Sequence, residues 1–423
     1  MVRTYRYIRW YGELSLGDVP LVGGKNASLG ELYRELVPKG VKVPNGFAVT
    51  AAAYRDLVRT AGILPEMEAL VAGLSREDLE EFARRGSLLR ELIYQAPLPQ
   101  GLADEIASAY GTLCAEYGKN TDVAVRSSAT AEDLPTASFA GQQESYLNIR
   151  GTAQLLDASR RCFASLFTDR ALSYRIDQGF DHFRVALSVG VMKMVRSDLA
   201  ASGVIFTLDT ESGFRDVVLI NASWGLGENI VQGAVNPDEF FVFKPALKEG
   251  FRPVIGRKLG AKVMKMIYGT GTSKVLTRNV GVPKEDRRRF CLTEEEVLTL
   301  ARQAMAIEEH YTRKAGRDTP MDIEWAKDGV SGEIFIVQAR PETVQSQKRM
   351  EFLETYRLEG KGPVLVQGVS VGEKIAAGPA RAIIDVHRLQ EFQHGEILVA
   401  DTTTPDWEPV MKKASAIVTN RGG

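Results

Sequence analysis

Hydrophobic and polar positions along this chain change period several times, and the changes outline its elements. Val123 and Val125 begin a short β-branched run that passes into hydroxyl-bearing and small residues as far as Gly141, and a second strand-like run starts near Tyr146. Over residues 22–36, Leu29, Leu32, Tyr33 and Leu36 share one face of a helix, which Ser28-x-x-Glu31 opens as a candidate capping box. Residues 40–50 alternate around Pro44-Asn45-Gly46 and predict a short strand pair. Helical periodicity follows over 51–117, interrupted at Gly62, Gly73, Gly86 and Pro97-Leu98-Pro99, and returns over 152–177.

The second half is richer in strands. Residues 185–196 have the length and β-branched content of a buried strand, and 203–207 and 217–221 predict two more around a polar turn. Residues 252–289, with Lys258, Lys262, Lys265, Arg287, Arg288 and Arg289, read as a solvated insertion. Thr293-x-x-Glu296 is a capping box for a helix whose buried side carries Val297, Leu300, Ala301, Ala304, Met305 and Ile307. Two β runs, 321–326 and 333–340, flank Asp328-Gly329 and predict a hairpin. Residues 342–362 are polar and end in Gly360-Lys361-Gly362, as a linker does, and β-rich pattern resumes near 380–384, 396–399 and 416–418.

Composition narrows the classes. A length of 423 residues suggests roughly two to three domains, and 53 basic against 54 acidic residues leave no global field to recruit nucleic acid or an anionic membrane. The basic stretch lacks the interleaved aromatics that stack bases. Three widely spaced cysteines, without a Cys-x-x-Cys pair, argue for a reducing cytoplasm over a disulfide framework or a structural zinc. The charged N-terminus lacks a signal-peptide core, and no apolar run reaches membrane-spanning length.

Four stretches carry candidate chemistry. Arg126, followed by Ser127, Ser128 and Thr130, has the layout of a phosphate site, with a planar fork of donors beside hydroxyls and loop amides; the alternative is a surface loop. Lys25 follows Gly23-Gly24 at a helix start, where free amides and the helix dipole favour an anion, although a solvated lysine fits the same residues. Gly225 and Gly227, after a strand, let backbone approach a ligand, and Glu228 offers a carboxylate to ribose hydroxyls. In the hairpin, an even register gathers Asp322 and Glu324 with Ile336, Gln338 and Arg340 on one face. Glu324 and Gln338 are hard-oxygen ligands suited to magnesium, and Arg340 a group that neutralises transferring phosphates, unless the pairs are structural. Glu132 and Asp133 stand in the hydroxyl loop as candidates to orient Arg126.

These stretches, together with Gly23-Gly24-Lys25-Asn26-Ala27-Ser28-Leu29-Gly30, Gly225-Leu226-Gly227-Glu228 and Gln338-Ala339-Arg340-Pro341, resemble the phosphoenolpyruvate synthase (pyruvate, water dikinase) family of PEP-utilising enzymes. The resemblance covers the whole chain. It implies an α+β fold: an ATP-grasp-like nucleotide-binding domain over 1–343, with lobes of about 1–180 and 181–343, a linker over 344–363, and the incomplete start of a β/β/α swivelling phosphohistidine domain over 364–423. It also implies ATP as substrate with Mg2+, adenine beside Lys193 and Val195, and phosphates held by Lys25, Arg126 and Arg340. The parent reaction makes phosphoenolpyruvate from pyruvate in gluconeogenesis. Thr419-Asn420-Arg421-Gly422-Gly423 matches the run that precedes the family's phosphocarrier histidine, and none of His182, His310, His387 and His394 stands in that context. The pyruvate site and a homodimer contact are expected in a missing C-terminal part. Rival expectations are a dikinase with an antibiotic or glucan acceptor and a nucleotide-binding module without chemistry.

Overall fold

The strand Leu187–Lys193 is buried along its first six residues, and a strand of that kind needs neighbours on both edges and cover on both faces. It receives them as the centre of a five-stranded antiparallel sheet. We number the strands β1 (Ile8–Trp10), β2 (Gly46–Val49), β3 (Val123–Ala129), β4 (Ser145–Ile149) and β5 (Leu187–Lys193), and their order is β1-β2-β5-β3-β4. The computed structural model describes residues 5–75, 78–130, 144–269, 276–343, 374–403 and 407–420, with isolated positions between 357 and 371. Helices Ala51–Ala61, Leu79–Gln95, Gln100–Tyr117 and Gly151–Ala164 bury Leu57, Leu89, Leu113 and Phe163 against Val123, Val125, Val189 and Val191 of this sheet.

A second antiparallel sheet contains β6 (Ala201–Phe206), β7 (Val217–Trp224), β8 (Asp238–Phe243), β9 (Val254–Lys258), β12 (Met321–Lys327) and β13 (Ile334–Pro341), in the order β13-β12-β6-β7-β8-β9. Between β9 and β12 lies a separate hairpin, β10 (Met264–Tyr268) with β11 (Thr277–Gly281). In β8 burial alternates residue by residue, so one face is core and the other is open. The core face packs on the long helix Glu294–Ala315, which buries Val297, Leu300, Ala301, Ala304 and Ile307, while Met305 is only partly covered. Thr293 caps this helix by the expected box. The C-terminal region forms a small parallel sheet of β14 (Ala380–Ala382), β15 (Ile397–Ala400) and β16 (Ala416–Thr419). Among the described residues no helix is long and apolar enough to cross a membrane.

The helix α1 (Val19–Glu35) joins the two sheets. Leu29, Leu32 and Leu36 belong to the core of the second sheet, whereas Asn26 reaches the first, where its side chain occupies the space a Cβ at Gly190 would need. Gly23 breaks the helix at φ 74°, and a Cβ there would lie 2.3 Å from Ser128 Oγ, so only glycine permits this approach.

Several sequence expectations change. The boundary between the sheets falls between Lys193 and Ala201, not near 180, because residues 187–193 pair with β2 and β3. Residues 40–50 do not pair with each other: Gly46–Val49 pairs with β1 and β5, and the carbonyl of Lys42 accepts from Ile336 N at 2.8 Å. Ser28 and Glu31 are not a capping box. They face the long helix, Ser28 Oγ meeting Tyr311 Oη at 2.6 Å and Glu31 meeting His310 Nε2 at 2.6 Å. The three-residue spacing of a box is also that of neighbours on one helical face, and the tertiary partner decides between them. Residues 252–289 are not a free insertion, since they supply β9, β10 and β11, and Lys262 is fully buried in an ion pair with Asp238. Asp238 also accepts from the amides of Gly260 and Cys291, both at 2.9 Å.

A buried ion pair is strongly destabilised when one partner is removed, because the other charge is left dry and uncompensated. Lys262→Met is expected to lower unfolding free energy by about 3–5 kcal/mol in urea denaturation. A loss under about 1 kcal/mol would place Lys262 in contact with water.

Candidate functional site

The open face of the second sheet and one face of β3 meet at Arg126. Its Nη2 donates to Glu324 Oε2 at 2.9 Å and its Nη1 to the carbonyl of Val337 at 3.3 Å. That carbonyl is available because β12 and β13 change register beyond Glu324: Glu324 faces Gln338 but Trp325 faces Ile336, which leaves Val337 as the extra residue of a bulge. The bulge also corrects an expectation. Ile336 does not share the polar face of Gln338 and Arg340; it turns with Trp325 into the core, where both are fully buried.

The predicted even register holds elsewhere. Asp322 lies opposite Arg340 and Glu324 opposite Gln338. Arg340 donates through Nε and Nη2 to Asp322 Oδ2, at 2.8 and 2.6 Å. Burial disfavours the charged forms of both carboxylates, with opposite outcomes. At Asp322 burial prevails over Arg340 and raises the pKa above the ordinary value. At Glu324 the positive charges of Arg126, Lys25 and Arg340 overcome burial and hold the pKa below it. Four groups from three distant stretches thus act on one another.

Lys25 occupies the first turn beyond the break at Gly23, as a helix-start lysine should. The hydroxyls after Arg126 serve the scaffold. Ser128 Oγ accepts from Asn26 N at 3.4 Å, Ser127 Oγ receives the amide of Glu144 at 3.1 Å, and Thr130 Oγ1 receives that of Ala186 at 3.1 Å. These bonds fix β3 against α1 and its neighbours. Glu132 and Asp133 lie outside the described residues.

Gly225 takes φ 88°, and Leu226 N donates to the carbonyl of Met266 at 3.0 Å, so the Gly225-Leu226-Gly227 turn leans on β10. Glu228 opens the next short helix; burial raises its pKa, Arg126 counteracts this, and the nearby charge of Glu324 adds to it. It therefore belongs electrostatically to the Arg126 cluster. Lys193 donates to Asp122 Oδ1 and to the carbonyl of Met194, both at 2.7 Å, so its ammonium is engaged, and Val195 is buried. Asp122 was not singled out from sequence. A lone acid before a strand carries no pattern, yet here it also accepts from Tyr268 Oη at 2.7 Å.

Whether the residues fit magnesium can be tested on Gln338. Its side chain is 5% exposed and its Oε1 has no hydrogen-bond partner among the described residues, although a buried amide oxygen normally has one. With the carboxylates of Glu324 and Asp322 on the same face, the donors are all hard oxygens. No cluster of three or more His, Cys, Asp or Glu suited to a metal occurs among the described residues. An open depression of about 360 Å³ lined by Trp224, Arg289 and Lys327 lies elsewhere and includes none of these groups.

The raised pKa of Glu228 has a sign that can be measured. Ionisation of this group is harder in the folded than in the unfolded chain, so it detracts from stability above its folded pKa and not below its ordinary value of 4.5. Glu228→Gln is expected to be more stable than the parent at pH 7, with the difference closing as pH falls below about 4 in thermal melts. Equal melting temperatures across that range would contradict it.

Comparison with known proteins identifies the family. The family described as pyruvate phosphate dikinase, AMP/ATP-binding domain, matches residues 19–359, and that described as PEP-utilising enzyme, mobile domain, matches 392–423. The phosphoenolpyruvate synthase of Synechocystis sp. is 56% identical over 421 residues, 98% of this chain and 51% of its own length. Those of Aquifex aeolicus and Escherichia coli are 54% and 50% identical, each over 98% of this chain and over 49% and 52% of their own lengths. The chain spans about half the length of the curated relatives it matches. On a match that covers residues 19–359, the chain belongs to the pyruvate phosphate dikinase AMP/ATP-binding family.

Proposed function

We propose that the complete protein is a phosphoenolpyruvate synthase, which converts ATP, pyruvate and water to AMP, phosphoenolpyruvate and phosphate, and that this chain carries its nucleotide end. The family match supports ATP binding, and the names of the relatives support the reaction. The observation that carries the reading is the convergence of Lys25, Arg126 and Arg340 on Glu324 beside the Gln338 oxygen, which has no partner among the described residues. We assign residues 1–343 to a two-lobed ATP-grasp-like unit, 344–363 to a linker, and 364–423 to the start of a swivelling phosphohistidine domain of a cytoplasmic enzyme.

Each residue's part follows from its charge and neighbours. Arg126 and Glu324 satisfy each other without ligand, and a magnesium triphosphate offers each a new partner of opposite charge: phosphate oxygens for the guanidinium, the cation for the carboxylate. Lys25, at the helix start, takes phosphate oxygens as a compact cation, and Arg340 neutralises the charge that grows during transfer. Asp322 anchors Arg340 by accepting from its Nε and Nη2. Magnesium, when bound, would be held by Glu324 and Gln338 and would supply charge neutralisation between phosphates. In transfer, an imidazole nitrogen would attack the β-phosphorus, and the bond to the oxygen shared with the α-phosphate would break, leaving its electrons on AMP. His310 and His182 are engaged with Glu31 and Arg175. Neither is assigned as the phosphocarrier.

Two measurements test this reading. Calorimetry of the chain with ATP is expected to show tighter binding with magnesium than with EDTA, and Gln338→Leu to remove about tenfold of the magnesium-dependent part; affinity indifferent to magnesium would remove the metal assignment. In the complete protein, Arg340→Ala is expected to cut pyruvate-dependent AMP formation by about 10³-fold. A variant of near-normal rate would refute the role of Arg340.

A further inference from the structure

The strand β13 is the edge of the second sheet, so backbone groups on its outer side have no neighbouring strand and need other partners. They find them in other parts of the chain. Ile336 N donates to the carbonyl of Lys42 at 2.8 Å, the carbonyl of Val337 accepts from Arg126 Nη1 at 3.3 Å, and that of Ala339 accepts from Ser28 Oγ at 2.5 Å. Arg126 comes from β3 and Ser28 from α1. The residues that alternate with these two carbonyls are Gln338 and Arg340, whose side chains stand opposite Glu324 and Asp322 in the site.

A serine has one hydroxyl hydrogen, and the carbonyl of Ala339, which can only accept, takes that of Ser28. Tyr311 Oη, 2.6 Å from the same oxygen, is therefore the donor in the second bond. The chain of bonds runs from the long helix through α1 to β13. Ser28 and Tyr311 are both buried, and one turn along α1 Glu31 meets His310 Nε2 at 2.6 Å and Lys314 Nζ at 2.9 Å. Glu31 holds α1 to the long helix; Ser28 also holds it to β13. Lys25 lies on the same helical stretch, three residues before Ser28, and the carbonyl of Ala339 belongs to the peptide that joins it to Arg340. One hydroxyl thus connects the backbone that carries Lys25 to the backbone that carries Gln338 and Arg340.

We propose that Ser28 is a positioning residue for the bound metal and phosphates: its bond to the Ala339 carbonyl sets Gln338 and Arg340 at their distance from Lys25. This rests on the nucleotide reading above. A magnesium triphosphate draws the guanidinium of Arg126 toward phosphate oxygens, in competition with the Val337 carbonyl that it holds without ligand. The Ser28 bond lies behind the strand and keeps β13 in place when that happens. Without the hydroxyl, the carbonyl of Ala339 loses its partner and the strand shifts to relieve it. A ligand that needs Lys25, Gln338 and Arg340 together then meets the right spacing only part of the time, and its apparent affinity falls by that fraction.

The ratio of ATP dissociation constants in EDTA and in magnesium reads this spacing and does not change with the fraction of chain that is folded. In calorimetric titrations, Ser28→Ala is expected to cut this magnesium-dependent gain about fivefold, the worth of one hydrogen bond. Ser28→Cys, which keeps the volume and replaces the hydroxyl by a poor donor, is expected to do the same. Tyr311→Phe leaves the bond to Ala339 in place and is expected to change the gain less than about twofold. Added to Gln338→Leu, Ser28→Ala is expected to cost no further gain, because both act on the same ligand group. An unaltered gain in the Ser28 variants would overturn the assignment, as would a loss in Tyr311→Phe equal to that in Ser28→Ala, or an undiminished loss on top of Gln338→Leu. A parent chain without any magnesium-dependent gain would overturn the nucleotide reading as well, whereas a parent gain that the Ser28 variants leave intact would sink this inference alone.

Discussion

Arg126 and Glu324 form an ion pair between two sheets whose main cores are separate, and the candidate site is built around it. Neither group is in open water, so each depends on the other for charge compensation. Lys25 and Arg340 add positive charge on the same carboxylate, and Glu228 and Asp322 are kept from ionising freely. Beside them the Gln338 amide oxygen has no hydrogen-bond partner among the described residues. A polyanion that brings a divalent cation offers partners to the guanidinium groups and to that oxygen.

The pair can exist because α1 belongs to both halves. Its apolar side lies in the core of the second sheet while Asn26 and the break at Gly23 bind it to β3 and β5 of the first. The hydroxyls of Ser127 and Ser128, fully or almost fully buried, complete that junction. The hairpin β10–β11 makes a second junction through Asp122 and Tyr268. Two junctions leave the cleft shaped before any ligand arrives, which reduces the ordering that binding requires.

Local patterns were legible wherever one short stretch contained its own physics. The capping box at Thr293, the hairpin around Asp328-Gly329 and the shared face of Glu324 and Gln338 were read from spacing alone, because turn chemistry and strand alternation are local rules. The same rules misread Ser28 and Glu31, whose spacing serves a cap and a helix face equally. They also misread Ile336, since one bulged residue reverses every side chain beyond it. Lys262 looked solvated because a lysine among lysines carries no sign that its partner Asp238 lies on another strand.

By itself the sequence determined the set of elements, the mixed helix and sheet composition, and the identities of Lys25, Arg126, Glu324, Gln338 and Arg340 as candidates, because each was marked by its own turn, strand or helix start. Only the tertiary structure decided that these residues share one cleft, that Ser127 and Ser128 are joints within the scaffold, and that Asp122 and Tyr268 meet. Contacts between Arg126 and Glu324, or Asp122 and Tyr268, cross well over a hundred residues of chain. Periodicity carries no information over such distances, and the packing of α1 and the hairpin β10–β11 between two sheets supplies it.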